Sequence, residues 1–546
     1  MRTARIVAPV ALGLLALAST ALGGCASEAS DDATSDGAFS SNQATLLDFE
    51  FDAELVTDFS WNDKQTIQDQ LLYTIGHLNG NKSVGRLDDL TLTNIKKEDA
   101  GGGKSKISYH AKLPVAWGSK VNLPESYELK LPKDVSGEGQ SAFTEKHKHE
   151  CVDWGAHDVD TGSMWYYYRP NKSGCNITDE EIVKTTAKVT KSTLNTEGKY
   201  PEYHKVWEDD RLEVVAIFGK YEDGATTGDP GITGYNSFVS SMRTKLGALG
   251  EVKTTPADVP ASPGTAMPDV SFEAKLADGK TVKITALLVD NVRTAGAAFD
   301  RRYEELSTQA DLITYNGHAG LGQNVRALAQ KGKFIAGKYQ IFFMNGCDTF
   351  AYVDGSLAQT RARLNPDDPT GTKYMEFVTN AMPSYFSSMP AASTAMTAGL
   401  LDFQNPKTYD KIFEGIDRAE VVLVTGEEDN VFTPGMPIGS GGGGGGGGGV
   451  EFKPFEESGT VTKSQEKAFA YDVPAGSYVI DLSGDADADL YVRKGAAAEQ
   501  RKYDCRPYKS GSVEQCKVTF TEPGKLHVMV RGWAASSNFK VKGARQ

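Results

Sequence analysis

Two stretches of the chain share one pattern of residues: Leu312-Ile313-Thr314-Tyr315-Asn316-Gly317-His318-Ala319-Gly320 and Ile341-Phe342-Phe343-Met344-Asn345-Gly346-Cys347-Asp348-Thr349. Each starts as a short apolar run, which is typical of a buried strand, and continues into Asn-Gly and a reactive side chain. A helix is predicted between them at about 325–330, so the pair indicates a parallel βαβ unit. Catalytic groups in open α/β sheets lie at the carboxyl ends of strands. If the two strands are neighbours, His318 and Cys347 face the same crevice.

The two reactive side chains suit nucleophilic catalysis. A cysteine thiolate is a nucleophile, and a histidine imidazole supplies and accepts protons. Gly317 and Gly346 let the backbone turn sharply and approach a substrate closely. Backbone amides at such a turn can stabilise an oxyanion. His318 and Cys347 are therefore the predicted catalytic residues.

Both motifs resemble those of the caspase-like clan of cysteine peptidases, which includes gingipains, clostripain, separase and the CHAT group. The resemblance implies a caspase-like α/β domain over residues 205–435, with His318 as the proton-transfer residue and Cys347 as the nucleophile. The segment Asn345-Gly346-Cys347-Asp348-Thr349 is most similar to the CHAT form, in which an acidic residue and Thr follow the Cys.

Two positions depart from the pattern of the clan. Ala319 stands where the clan usually has Gly directly after the His, and Asp348 stands where many members have Ser or Gly soon after the Cys. Ala319 keeps its amide, so an oxyanion donor is retained, but the loop shape is in question. The alternatives are a degenerate, non-catalytic caspase-like domain and a plain α/β fold with a structural His and a buried Cys.

The N-terminus resembles a bacterial lipoprotein signal. Arg2 and Arg5 precede an apolar run from Ile6 to Leu22, which is short and flanked like a signal peptide rather than a transmembrane helix. The following Leu22-Gly23-Gly24-Cys25 resembles a lipobox, which implies cleavage before Cys25 and acylation of that residue. We expect a signal peptide over 1–24, a lipid-anchored Cys25 and a polar tether over 25–44. The alternative is an ordinary signal peptide that happens to contain a cysteine.

An unbroken glycine run, Gly441 to Gly449, precedes a separate C-terminal unit. We predict a Pro/Gly linker over 436–449 and a small β-sandwich over 450–546, where alternating apolar runs are separated by turn signals. Several segments of this unit resemble the bacterial pre-peptidase C-terminal domain: Val473–Gly476, Leu482–Gly484, Asp487–Arg493, Tyr503–Tyr508, Glu514–Cys516 and Val530–Trp533. Such domains usually follow secreted peptidases, so the resemblance implies an accessory domain and not a catalytic one.

The chain contains six cysteines, and cysteines of exported proteins form pairs. With Cys25 assigned to lipid, the local pairs Cys151–Cys175 and Cys505–Cys516 are the predicted disulfides. Cys347 is left without a pair, which marks it as a reactive thiol or, alternatively, as a buried small apolar side chain.

No cofactor is expected, and the alternative is a calcium ion in the C-terminal domain. Alternation would put Asp485, Asp487 and Asp489 on one face of a strand, and carboxylates suit calcium. A solvated acidic turn is favoured because a full ligand set is not visible. The histidines near Cys151 likewise do not match the ligand spacing of a zinc site.

Residues 45–204 are predicted to form an α+β domain of unknown role, with a helix over 64–78 and strands that include 106–113 and 164–168. The formal net charge of -14 argues against nucleic acid as a partner, because that partner requires a basic surface.

The whole sequence favours a multidomain, exported cysteine endopeptidase, lipid-anchored in the cell envelope at the outer membrane or the cell surface. Its expected partners are a protein or peptide substrate and the membrane. The second hypothesis is a non-catalytic lipoprotein with a degenerate caspase-like fold, which binds protein or polysaccharide.

Overall fold

A computed structural model of the chain describes residues 38–59, 61–353, 355–439, 454–474, 476–520 and 524–545. The chain divides into two compact units, one of residues 38–206 with 211–434 and one of residues 207–210 with the described part of 435–545. The predicted signal peptide, Cys25 and the glycine run lie outside the described residues. None of the helices in the described ranges is both long and apolar enough to span a membrane.

The N-terminal part of the first unit is an antiparallel sheet covered by short helices. Strand β5 lies between β2 and β3 and also pairs with β4, while β7 joins β2 to β6. In chain order the elements are β1 (Phe39–Ser40), β2 (Thr45–Thr57), α1 (Asp63–Leu71), α2 (Tyr73–Asn79), β3 (Val84–Gly85), β4 (Thr91–Gly101), β5 (Lys104–Trp117), β6 (Ser126–Pro132), α3 (Gly137–His147), α4 (Met164–Tyr167) and β7 (Ile182–Lys191).

Part of the segment predicted as a tether is structured instead. Strand β1 pairs with a later strand, so that Phe39 lies opposite Thr425 and Ser40 opposite Val424. Phe39 is buried, and its ring packs edge-on against Phe350 with centroids 6.0 Å apart. The tether prediction is therefore wrong at its C-terminal end, because burial of the single apolar ring of Phe39 holds this polar stretch against the sheet.

The aromatic run 165–168 was predicted to be a strand, and this is also wrong. Met164–Tyr167 is a short helix. Met164 and Trp165 in it and Tyr168 directly after it are buried, a spacing that does not fit the alternation of a strand. Gly76 of α2 allows the helix to approach, since a Cβ at Gly76 would lie 2.4 Å from the carbonyl oxygen of Trp165.

The rest of the first unit is a nine-stranded mixed sheet in the order β1-β15-β14-β13-β12-β8-β11-β10-β9. Its five central strands, in the order β14-β13-β12-β8-β11, are parallel to one another. Antiparallel strands lie at both edges of the sheet. The elements are α5 (Tyr203–Val206), β8 (Arg211–Gly219), α6 (Pro230–Gly247), β9 (Val252–Thr255), β10 (Asp269–Lys275), β11 (Thr281–Val289), α7 (Ala297–Ser307), β12 (Leu312–Asn316), α8 (Gln323–Lys331), β13 (Gln340–Asn345), α9 (Thr349–Tyr352), α10 (Ser356–Leu364), β14 (Met375–Asn380), α11 (Met389–Leu401), α12 (Tyr409–Phe413) and β15 (Val422–Thr425).

The predicted parallel βαβ unit is confirmed. Strands β12 and β13 are adjacent and parallel, with Asn316 opposite Asn345, and α8 connects them. Both strands are fully buried, because helices cover the two faces of a parallel sheet. The loops that carry His318 and Cys347 therefore leave the sheet at the same edge.

The second unit contains two antiparallel sheets that share one apolar core, as the prediction of a β-sandwich requires. The sheets have the orders β16-β22-β18-β20 and β17-β21-β19. Their strands are β16 (Phe455–Thr462), β17 (Glu466–Val473), β18 (Gly476–Gly484), β19 (Ala488–Lys494), β20 (Glu514–Phe520), β21 (Gly524–Gly532) and β22 (Ser536–Arg545).

The three aspartates considered for calcium do not share a strand face. Asp485 and Asp487 lie in the turn between β18 and β19, and only Asp489 is in a strand. Asp485 accepts hydrogen bonds from the backbone and side chain of Asn538, and Asp489 pairs with Arg506 at 3.0 Å. The alternation expected of these residues is wrong because the chain turns where a strand was predicted.

Candidate active site

The loops after β12 and β13 are in direct contact. A Cβ at Gly346 would lie 2.8 Å from the carbonyl oxygen of Gly317, so only glycine lets the two backbones approach this closely. The Gly317 amide also donates to the carbonyl of Asn345. The parallel register thus brings the His318 and Cys347 loops together, as expected from the sequence.

Beneath the loops, the last residues of the two strands form a buried polar network. Asn345 Nδ2 donates to Asn316 Oδ1 at 2.9 Å, and Ser384 Oγ donates to Asn345 Oδ1 at 2.7 Å. Ser393 Oγ donates to Asn316 Oδ1 at 2.8 Å. Because every bond joins different segments of the chain, the network fixes the positions from which both loops depart.

His318 is exposed and is oriented by neighbouring groups. Its Nε2 lies 3.1 Å from the carbonyl oxygen of Tyr221, which can only accept a hydrogen bond, so Nε2 carries a proton and Nδ1 is the nitrogen that bears the lone pair in the neutral ring. The imidazole packs against the rings of Tyr221 and Phe386, at centroid distances of 5.2 and 5.1 Å, and these two rings also contact each other. The carbonyl of His318 accepts from Tyr315 and Asn324, which pins the loop.

Cys347 is a free thiol, and only part of the residue is accessible to solvent. Its Sγ donates to the carbonyl oxygen of Ser384 at 3.6 Å. Burial raises the pKa of the thiol to about 11, and the neighbouring Asp348 carboxylate adds to that increase. At neutral pH only about one molecule in ten thousand would carry the thiolate.

No hydrogen bond joins His318 to Cys347 within the described residues, since each side chain bonds a backbone carbonyl elsewhere. Catalytic hydrogen bonds are often long or absent in unliganded enzymes and form when substrate binds. In the same part of the chain, the amides of Ala319 and Cys347 donate to no protein acceptor. These two unpaired amides are therefore the candidate donors to an oxyanion.

Two side chains from the N-terminal part of the first unit, Asn79 and Tyr166, lie near Cys347 and were not predicted from the sequence. Asp348 follows the thiol in a left-handed conformation, with φ of 50°, and is fully buried. Its Oδ1 accepts from Asn79 Nδ2 at 2.9 Å, and burial raises the pKa of Asp348 to about 6. The Tyr166 hydroxyl lies beside both the Asp348 carboxylate and the Cys347 sulfur. The run of aromatic residues over 165–168 is the signal for Tyr166 in the sequence, but the prediction of a strand there gave this residue the wrong position.

Glu420 is a buried carboxylate near the loop that carries Cys347. Its carboxylate accepts from Asn380 Nδ2 at 3.1 Å and is bonded to Ser388, and burial raises its pKa to about 7. Nothing in the sequence around Glu420 distinguishes it from the many surface glutamates of the chain. Only the fold brings it close to Ser384, whose carbonyl oxygen accepts the thiol hydrogen bond.

The remaining predicted residues are placed as follows. The structure contains the Cys151–Cys175 and Cys505–Cys516 disulfides. Cys25 is outside the described residues. Within those residues, no group of three or more His, Cys, Asp or Glu side chains is arranged to hold a metal ion.

One family model matches a part of the C-terminal unit. Residues 469–532 match the family model "Bacterial pre-peptidase C-terminal domain". Alkaline serine exoprotease A of Vibrio alginolyticus is 40% identical over 88 residues, which are 16% of this chain and 16% of that protein. A zinc metalloprotease of Helicobacter pylori is 41% identical over 69 residues, 12% of this chain and 27% of that protein.

A solved structure titled "Solution structure of vEP C-ter 100" is 32% identical and covers 15% of this chain and 82% of its own, with a TM-score of 0.14. The chain spans less than a third of the length of the two proteases above. Their names specify a serine and a zinc enzyme, so the shared segment accompanies different catalytic classes. The chain carries a bacterial pre-peptidase C-terminal domain.

Proposed function

We propose that the chain is an exported cysteine endopeptidase, in which a caspase-like domain over 205–435 hydrolyses peptide bonds with Cys347 and His318. The observation that carries the proposal is the parallel pairing of β12 with β13. This pairing brings the loop that carries His318 against the loop that carries the free thiol of Cys347. The homologues of the C-terminal domain are named as proteases, which favours a protein substrate and export.

The proposed reaction uses groups described above. His318 accepts the thiol proton at Nδ1, and the Cys347 thiolate attacks the carbonyl carbon of the substrate peptide bond. The amides of Ala319 and Cys347 donate to the oxyanion that forms. His318 then returns the proton to the leaving amine, and water hydrolyses the thioester to release the acid and restore the thiol.

The test is cleavage of a panel of fluorogenic peptides that vary the residue before the scissile bond, including Arg, Lys and Asp. We expect wild type to cleave at least one peptide, and Cys347→Ala and His318→Ala each to lose most of that activity, because the two residues act as one unit. Wild type that matches Cys347→Ala across the panel, before and after limited proteolysis, would contradict the proposal.

The second candidate is a non-catalytic lipoprotein that binds protein or polysaccharide. The observation that favours it is the protonated thiol, whose pKa burial raises to about 11 and which makes no hydrogen bond to His318. If the wild type neither cleaves peptides nor reacts with a cysteine-directed electrophile in any state of processing, this second function replaces the first.

The proposal also includes a lipid anchor on Cys25, which follows Leu22-Gly23-Gly24. We expect Cys25→Ser to abolish incorporation of labelled palmitate and to release the protein from membranes, since stable anchoring requires the acyl chains. Palmitate labelling that persists in the serine variant would place the anchor elsewhere.

A further inference from the structure

The segment Met164–Tyr168, here called the aromatic cover, lies against the cysteine loop although it belongs to the N-terminal domain. Trp165 packs edge-on against Tyr352, three residues past Thr349, with ring centroids 6.4 Å apart. Tyr166 lies beside Cys347 and Asp348, and Tyr167 is within electrostatic reach of Cys347 and Tyr221. Tyr221 in turn packs on His318.

The cover therefore adjoins the cysteine side of the candidate dyad directly. Tyr166 is next to the thiol, and Tyr167 is near enough to interact electrostatically with both the thiol and Tyr221. A substrate peptide has to bring its carbonyl carbon against the Cys347 sulfur, within reach of His318. Because Tyr166 lies beside the sulfur, it limits the space for that approach.

The cover is held in place from within the N-terminal domain. Cys151 and Cys175 close the segment into a loop whose base is joined by backbone bonds from Arg169 to Cys151 and from Asp153 to Tyr167. The guanidinium of Arg169 donates to the carbonyl of Gly76 and pairs with Asp153.

The outer part of the same loop is open to solvent. Trp154 is 88% exposed, and residues 155–162 contain no helix or strand. Tyr166 and Tyr167 are only half-buried, unlike Met164, Trp165 and Tyr168. A cut in this exposed stretch removes one of the two chain connections of Tyr166 and Tyr167, whereas Met164, Trp165 and Tyr168 belong to the apolar core.

We propose that the aromatic cover is an autoinhibitory element that blocks Cys347 until the loop closed by Cys151 and Cys175 is displaced. The inference rests on the proposed function in treating Cys347 as a nucleophile, but its test measures thiol access and does not need cleavage. The high pKa that burial gives the thiol agrees with a covered state, because a desolvated thiol ionises poorly.

The experiment is the rate of alkylation of Cys347 by iodoacetamide at pH 7.5 in the folded full-length chain, read by mass spectrometry of the Cys347 peptide. We expect the double variant Tyr166→Ala/Tyr167→Ala to react about tenfold faster than wild type or more. The matched control is Trp154→Ala, because Trp154 lies on the same loop and is exposed. This variant should react within about twofold of wild type.

A double variant that keeps the unfolding temperature of wild type and reacts no faster overturns the proposal. If the double variant does not fold, the rate is measured on wild type nicked by a protease within 155–162, where an unchanged rate overturns the proposal equally. Peptide cleavage is assayed in parallel. Faster alkylation without cleavage supports the cover and contradicts the peptidase, whereas cleavage with unchanged alkylation contradicts the cover alone.

Discussion

At the scale of single residues, the state of Cys347 depends on burial more than on its neighbours. Burial and the Asp348 charge both raise the pKa of the thiol, and they outweigh the contacts with Tyr166 and Ser384, which lower it. Burial also raises the pKa of Asp348 and of Glu420. The Cys347 thiol is therefore neutral at pH 7. Burial likewise favours the neutral forms of the Asp348 and Glu420 carboxyl groups.

The first prediction concerns the pH dependence of alkylation. Because the pKa of Cys347 is about 11, we expect the iodoacetamide rate of the native protein to rise about tenfold per pH unit between pH 7 and 10, without a plateau. The same peptide in denatured protein should level off above about pH 9, near the ordinary thiol pKa. A plateau near pH 8 in the native protein would show that the thiol is not desolvated.

The second prediction concerns Glu427, which is buried and accepts a hydrogen bond from Thr196 at 2.7 Å. Burial raises its pKa from 4.5 to about 8, so the folded state holds a proton that the unfolded state releases. Its contribution to stability is full below pH 4.5 and is lost as the pH rises towards 8, at about 1.4 kcal/mol per pKa unit.

We therefore expect Glu427→Gln, which keeps the acceptor for Thr196, to unfold at a higher temperature than wild type at pH 8 and to show a smaller loss between pH 5 and 8. The measurement is thermal unfolding across that range, with the exposed Glu414→Gln as control. Equal slopes in wild type and Glu427→Gln would mean that this carboxyl is not protonated in the fold.

At the scale of elements, the edge strand β1 links the start of the described chain to the cysteine loop. Phe39 packs on Phe350 of α9, the short helix that begins two residues after Cys347. The apolar core of the N-terminal sheet also includes Ala319 and Tyr352. The two candidate loops are thus supported from the N-terminal part of the first unit as well as from their own sheet.

The third prediction is that Phe39→Ala lowers the free energy of unfolding of the first unit by about 3–5 kcal/mol, as for other buried phenylalanines. It should also raise the hydrogen exchange of the 348–353 backbone, because Phe350 loses its partner. Phe59→Ala serves as control, since Phe59 is 44% exposed. Equal destabilisation by both substitutions would mean that β1 does not support the cysteine loop.

At the scale of the whole molecule, the C-terminal domain is built as an independent body. Its two sheets enclose their own apolar core, and it follows a glycine run in the sequence. The residues proposed for catalysis all lie in the first unit.

The fourth prediction is that deletion of residues 450–546 leaves the cleavage of short peptides within about twofold of wild type, because each domain has its own core. Cleavage of large or insoluble proteins should fall, since the domain is expected to contact such substrates. The two substrate classes are compared at equal enzyme concentration. A large loss on short peptides would show that the C-terminal domain supports the active site directly.

The sequence alone predicted the features that depend on local pattern. Short apolar runs with an intervening helix predicted the βαβ unit, and the buried strands β12 and β13 confirm it. Alternation and turn signals predicted the C-terminal β-rich domain, and the cysteine count predicted two local disulfide pairs. These inferences succeed because neighbouring residues carry the information: periodicity decides which face is buried, and short loops limit which cysteines can meet.

Only the tertiary structure decided which distant residues surround Cys347. Asn79 of α2 and Tyr166 of α4 reach the cysteine loop across separations of more than 180 residues. Phe39 likewise joins the central sheet, although its segment has the composition of a tether. Contacts of this kind depend on how whole surfaces fit together, and no local pattern in the chain encodes which surfaces meet.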